Sequence, residues 1–335
     1  MYFRRKHIPV VFVLMAAFLS GCSLVDEDRT DCVSTLEVDC QLRLVMGIEA
    51  ELQSRLGAPS QQEVRDLLHG YLDGCFAGTA SDIRLSFFDA RDAALPLSLE
   101  REEQFSGSEE VFRLDLPVSE YRNLSVANLR AEGGSVTLSS AGQVSQARLE
   151  QEVTEGYSQP HGTAIFAGRK DLTVPYGVTL RQEVPLYMTN CASALVVDVS
   201  GAAGAVSGLS VVVDGMATAF FLSDSSYVYE PAALMNTREL VTSDGNTRCF
   251  ASIHFPSRPA VKAGESLWCW KAYATMPDGT INESKLQLPE PLGPGQLRVL
   301  TARLTDTGVV LTDDTRVTVS ITLDWGAGLD FPVPL

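Results

Sequence analysis

Strict alternation of apolar and polar residues dominates the chain after residue 34. Leu36, Val38, Cys40, Leu42 and Leu44 fall on one side, with Glu37, Asp39, Gln41 and Arg43 on the other, the period-two signature of a strand with one buried face. Phe112, Leu114 and Leu116 repeat the pattern before Pro117, and strands are expected near Ile83–Phe88, Leu124–Leu129 and Ser135–Leu138. One segment has a helical period instead. Ser60-Gln61-Gln62-Glu63 has the form of a capping box, and Val64, Leu67, Leu68, Tyr71 and Leu72 follow at spacings of three and four before Gly74. A shorter helix is expected over Gly47–Leu56. From Thr163 onward alternation resumes at Leu172–Val178, Glu183–Tyr187, Leu195–Val199, Ser210–Val213, Cys249–Phe255, Leu267–Tyr273, Leu297–Leu304 and Arg316–Trp325, with Gly, Pro, Asp and Asn between. Short strands at this spacing predict sandwiches rather than βαβ units.

The first residues break this pattern. Arg4, Arg5 and Lys6 precede an apolar run, Ile8 to Leu19, and then Leu19-Ser20-Gly21-Cys22. That order is the order of a signal peptide. About a dozen apolar residues fall short of the ~20 that a spanning helix needs. Small residues directly before a cysteine resemble a lipobox, so residues 1–21 are expected to be removed and Cys22 to carry lipid. The body would then be held by acyl chains. Residues 22–34 form an acidic tether in which Asp26, Glu27 and Asp28 resemble the surface-export signal of Bacteroides-type lipoproteins.

Charge narrows the partners. The chain carries a formal charge of −16, which becomes −19 without its basic leader, arguing against nucleic acid and anionic membrane surfaces. After the leader there are more residues than one core usually serves, so two domains are expected, 35–165 and 166–335, sharing an interface. Six cysteines remain beyond Cys22, an even number that permits disulfides in an exported chain. Cys249 and Cys269 are expected to pair, because a hairpin folding about Pro259 would set them opposite each other.

Reactive constellations are sparse. Only His69, His161 and His254 follow the leader, and none lies in a nucleophile, zinc or phosphate motif. No metal, cofactor or small-molecule substrate is expected, and no enzymatic activity. Trp268 and Trp270 share one face of a strand, where they would either fill a core or present rings to sugars.

Several of these stretches resemble the fimbrillin-associated anchor lipoproteins of Bacteroides-type (type V) fimbriae. Cys22 followed by Asp26-Glu27-Asp28-Arg29-Thr30-Asp31-Cys32 is similar to that family's acidic run before the first strand. Leu116-Pro117-Val118-Ser119-Glu120-Tyr121, the crossover from Ile165 to Gly201, and the closing strand Val317 to Trp325 with its terminal Asp-Trp resemble the family as well. Met188-Thr189-Asn190-Cys191 departs from it, standing where an arginine is expected. The resemblance implies a mainly β fold of two transthyretin-like, Greek-key β-sandwich domains, with one helix in the N-terminal domain. It also implies a fimbrial subunit as partner, attachment to the cell outer membrane through lipid, and a place at the base of a fimbrium.

Strand-edge association would need an exposed strand, and the last one is expected to supply it, with Val317, Val319, Ile321, Leu323 and Trp325 on its apolar face. Two alternatives stand beside an anchor. One is a polymerising stalk or tip fimbrillin, released by an arginine-specific cut at Arg29 or Arg43. The other is a surface glycan-binding lipoprotein using Trp268 and Trp270.

Overall fold

The computed structural model describes residues 33–43, 47–76, 80–92, 96–106, 111–130, 135–139, 142–259 and 267–325. The expected leader, Cys22 and the Asp26–Asp28 tether lie outside the described residues. In chain order come β1 (Val33–Arg43), helices α1 (Ile48–Arg55) and α2 (Gln62–Cys75), β2 (Asp82–Asp89), β3 (Leu99–Ser106), β4 (Val111–Pro117) and β5 (Ser119–Ala127). There follow β6 (Val136–Ser139), β7 (Arg148–Gln151), β8 (Tyr157–Ser158), β9 (Phe166–Val174), β10 (Leu180–Met188) and β11 (Cys191–Asp198). The next strands are β12 (Gly208–Asp214), β13 (Ala219–Phe221), β14 (Ser226–Val228), β15 (Leu234–Asn236) and β16 (Arg238–Val241). The last are β17 (Thr247–His254), β18 (Trp268–Thr275), β19 (Ile281–Leu288), β20 (Leu297–Leu304), β21 (Val310–Leu311) and β22 (Thr318–Trp325).

These strands form four sheets making two sandwiches. The first sheet has the order β3-β2-β5-β9-β10-β1-β4 and packs one face on β14-β13-β7-β6 through Phe88, Leu124, Val126, Leu149 and Phe220. In the second sandwich, β16-β17-β11-β20-β21 faces β22-β19-β18-β12-β15-β8 across a core of Leu195, Val197, Val213, Trp270, Leu286 and Leu300. The mainly β sandwich fold expected from alternation is the fold observed.

Strand β1 shows how alternation builds this. It lies inside its sheet, parallel to β10 and antiparallel to β4. Leu36, Val38 and Cys40 point into the core. On its polar face Glu37 meets Arg113 of β4 at 2.8 Å and Asp39 meets Arg181 of β10 at 2.8 Å, so each neighbour is tied across the strand by an ion pair.

The strands after residue 165 do not begin the second sandwich. β9 and β10 pair with β5 and β1 in the first sheet, and the chain changes sandwich between Met188 and Cys191. Gly168 marks a close approach there: a Cβ on it would lie 2.5 Å from the Pro185 carbonyl oxygen and 2.8 Å from a Leu186 methyl. The halves also exchange strands. The β13–β14 hairpin, which comes after β12 of the second sandwich, pairs with β7 of the first, while β8 adds to β15. A single cut at 165 therefore misses the partition, because strand pairing follows tertiary register rather than chain order.

Both expected helical segments are helices. Val64, Leu68 and Leu72 of α2 are buried, whereas Leu67 lies at the exposed rim. The capping box does not close: Gln61 is the N-cap, with no side-chain cap bond. Glu63 instead accepts the Ser243 backbone N–H at 2.6 Å, and Glu51 of α1 accepts that of Val299 at 3.3 Å. Both helices thus pack on the five-stranded sheet of the second sandwich, against the small side chains of Ala192, Ala194 and Ala251. That sheet is covered on both faces, which is why β11 is buried continuously from Cys191 to Val197.

Candidate strand-edge site

A sheet edge presents unpaired backbone N–H and C=O groups, and proteins protect such edges with charge, proline or short length. Among the described residues eight strands lie at sheet edges, and they differ in protection. β3 carries Glu100, Arg101, Glu102 and Glu103; β4 carries Arg113 and Asp115 and ends in Pro117; β16 opens with Arg238-Glu239. β8 and β21 have two residues each, β14 three and β6 four. β22 has eight residues, and its only charge is Asp324, next to the end.

Among the described residues β22 pairs on one side only, with β19, through Thr318↔Gln287 to Trp325↔Ile281, with an irregularity between Ile281 and Glu283. Val317 and Val319 pack partly on the second core. Ile321 is 44% exposed. The structure thus places four of the expected assembly residues, Val319, Ile321, Leu323 and Trp325, on one edge strand and Val317 just before it.

The expected Cys249–Cys269 disulfide is not formed. Both are free thiols. β17 pairs with β11 and β16, and β18 with β12 and β19, so the two strands lie in facing sheets and do not pair with each other as a hairpin. Cys249 points towards the helices, and burial pushes its thiol up to about 12. Burial, helped by nearby Asp214, pushes Cys269 up to about 11. Both stay protonated and unreactive at neutral pH.

The sugar-facing alternative for the tryptophans fails too. Trp268 and Trp270 are 2% and 0% exposed and pack edge to face with centroids 4.7 Å apart inside the second core. The Trp270 indole N–H has no hydrogen-bond partner among the described residues. Trp270→Ala is therefore expected to cost about 3–5 kcal/mol, whereas Trp270→Phe, which removes the buried N–H with modest loss of volume, should cost much less; urea denaturation midpoints check the difference.

Two histidines form the polar centre between the sandwiches, a role alternation does not reveal. His254 accepts from the Ser193 hydroxyl at Nε2, 2.9 Å away, and Nδ1 donates to its neighbour's carbonyl, Phe255 O, at 2.9 Å. His161 Nε2 donates to Gln151 Oε1 at 2.5 Å, while Nδ1 accepts from Asn190 Nδ2 at 3.2 Å. Each ring is thus satisfied as a neutral tautomer. Burial lowers His161 to about 3, with His254 contributing, and His254 to about 4. Asn190, in the stretch that departs from the expected arginine, also donates to Thr163 O and accepts from the Ile165 N–H, fixing the crossing between sandwiches. Ser193 and His254 are 1% and 0% exposed, so this hydroxyl–imidazole pair is closed to substrate. No three His, Cys, Asp or Glu side chains converge as a metal site among the described residues, and no described helix is long and apolar enough to cross a membrane.

The fold of two mainly β sandwiches is shared with solved structures. A candidate adhesin of Bacteroides ovatus superposes with a TM-score of 0.51 at 12% identity, over 80% of this chain and 87% of its own. A candidate polysaccharide-binding protein of Bacteroides thetaiotaomicron gives 0.51 at 9% identity, over 85% and 97%, and a candidate adhesin of the same species gives 0.50 at 10%, over 87% and 97%. At these identities the likeness is one of fold. The sequence matches no protein-family model and no curated protein.

Proposed function

We propose that this chain is a non-enzymatic surface lipoprotein, exported by residues 1–21 and acylated on Cys22. It anchors or terminates a fimbrium at the outer membrane by adding a strand of a filament subunit to the edge of β22. The observation that carries this reading is the edge itself, eight residues with one charge in a molecule whose other edges are charged or short. Backbone hydrogen bonds to an added strand would satisfy its exposed groups, and alternate side chains would set the choice of partner. The fold it shares with candidate adhesins of Bacteroides agrees with a surface role.

Of the two cuts open to the polymerising alternative, the one after Arg29 leaves β1 in place, and the one after Arg43 fits less well. A cut after Arg43 would remove all of β1, an interior strand whose apolar side chains sit in the largest core cluster. The anchor reading keeps that strand. Its test is co-purification of the tagged protein with filament subunits from cells. Ile321→Lys, on the exposed part of β22, should reduce recovered subunit at least tenfold with an unchanged melting temperature, a loss of about 1.4 kcal/mol or more in binding. Undiminished recovery would exclude β22 as the docking edge. Cys22→Ala should move the protein from the membrane fraction to the medium, and retention on the membrane would exclude the lipid anchor.

A further inference from the structure

The polar end of the molecule where β1 begins carries an apolar projection. Because β1 and β10 run parallel, with Leu36 opposite Leu180, their first residues lie at the same pole. The connection from β9 to β10, residues 175–179, reads Pro-Tyr-Gly-Val-Thr, has no charge, and is exposed throughout. Tyr176 and Val178 are 55% and 46% exposed, two of the most exposed large apolar side chains described. Gly177, at φ +69°, supplies the left-handed turn that places them at the tip. The tip is bonded directly to the start of β1, where the Ser34 hydroxyl donates to the Pro175 carbonyl at 2.7 Å. Of the charged groups on the strands that lead to this pole, Asp89 pairs with Arg91 and Asp39 with Arg181, while Asp115 accepts from the Thr35 hydroxyl and Glu120 lies exposed opposite Thr173.

We infer that the Tyr176–Val178 tip is a membrane-contact site, resting in the interfacial layer of the bilayer that holds the chain. This rests on the reading that Cys22 is lipidated. Ten residues separate Cys22 from β1, a reach of at most ~40 Å fully extended, so the acyl chains keep this pole near the membrane. Tyrosine suits the interface because its ring is apolar and its hydroxyl wet. An uncharged tip is also the part of a strongly acidic protein that a phosphate-rich surface repels least. The acyl chains supply the affinity. The tip sets orientation, fixing which way the sandwiches project.

The test uses the full-length protein purified from membranes and reconstituted in phosphatidylethanolamine–phosphatidylcholine vesicles, with part of the lipid brominated on its acyl chains. Tyr176→Trp and Val178→Trp each place an indole at the tip. Tyr187→Trp is the control, since Tyr187 is also exposed but lies seven residues along β10, about 23 Å towards the opposite pole. Emission from the two tip indoles should shift to the blue and be quenched several-fold more than that of the control, after subtracting the parent protein's signal. Equal quenching at tip and control sites overturns the proposal while leaving the lipid anchor intact, provided mass spectrometry finds acyl chains on Cys22. An unmodified Cys22 overturns both.

Discussion

A chain shortened to begin at Leu44 is expected to lose its cooperative unfolding transition. β1 is flanked on both sides, and Leu36, Val38 and Cys40 are 0%, 1% and 3% exposed. Withdrawing it uncovers three buried side chains worth about 1.5–3 kcal/mol each and two ladders of backbone hydrogen bonds. The total stability of a folded chain is only about 5–15 kcal/mol. A milder form of the experiment is Leu36→Ala, expected to cost about 2–5 kcal/mol and readable as a lower urea midpoint. A synthetic peptide of residues 33–43 added to the shortened chain should restore part of the transition, since the vacated slot keeps its pattern of donors and acceptors. A shortened chain that unfolds at the midpoint of the full one would show that β1 is dispensable, and would favour a polymerising form cut after Arg43.

Acidification is expected to weaken the fold well above the pH at which carboxylates titrate. His161 and His254 take a proton near 6.5 when unfolded but only near 3 and 4 in the folded chain. Below pH 6.5 the unfolded chain binds the extra protons, so stability is full above 6.5 and falls as the pH drops towards the folded values. At pH 5 each histidine removes about 2 kcal/mol and the pair about 4 kcal/mol. The aspartates held low by partners, such as Asp171 beside Arg122 and Asp314 beside Arg316, lose their contribution only below their ordinary value of 3.8, so they leave the interval from 6.5 to 5 to the histidines. Urea midpoints at pH 7.5 and 5.0 measure the drop, and His161→Gln with His254→Gln should flatten it. Identical midpoints at the two pH values for the unaltered protein would contradict the neutral, buried state of both rings.

Much of this fold was legible in the sequence wherever one face of a strand meets a core and the other meets water. β1 and β4 are of this kind, and so is the helical period of α2. Legibility fails where burial does not follow polarity. β19 reads Ile-Asn-Glu-Ser-Lys-Leu-Gln-Leu and gives no strand signal, yet Asn282, Glu283 and Ser284 are buried because β18 and β22 flank it. Ser284 accepts the Val310 N–H, and Asn282 donates to the Thr307 carbonyl, partners supplied by distant segments. The acidic edge β3 was missed because four charges mask a ladder held mainly by its backbone. The candidate edge was readable in part: alternation marks β22 as a strand, but only the sheet order makes it terminal. The cysteine pairing failed for the same reason, since two strands adjacent in sequence belong to facing sheets.

The burial of β1 between a parallel and an antiparallel neighbour also decides how the molecule would respond to tension. A force applied at Val33 pulls the strand along its own length. The hydrogen bonds to β10 and β4 are then strained together in shear, instead of parting one after another as at a peeled edge. Ion pairs at Glu37 and Asp39 brace the strand on both flanks, so a pull on the chain ahead of β1 meets a strand clamped along its whole length.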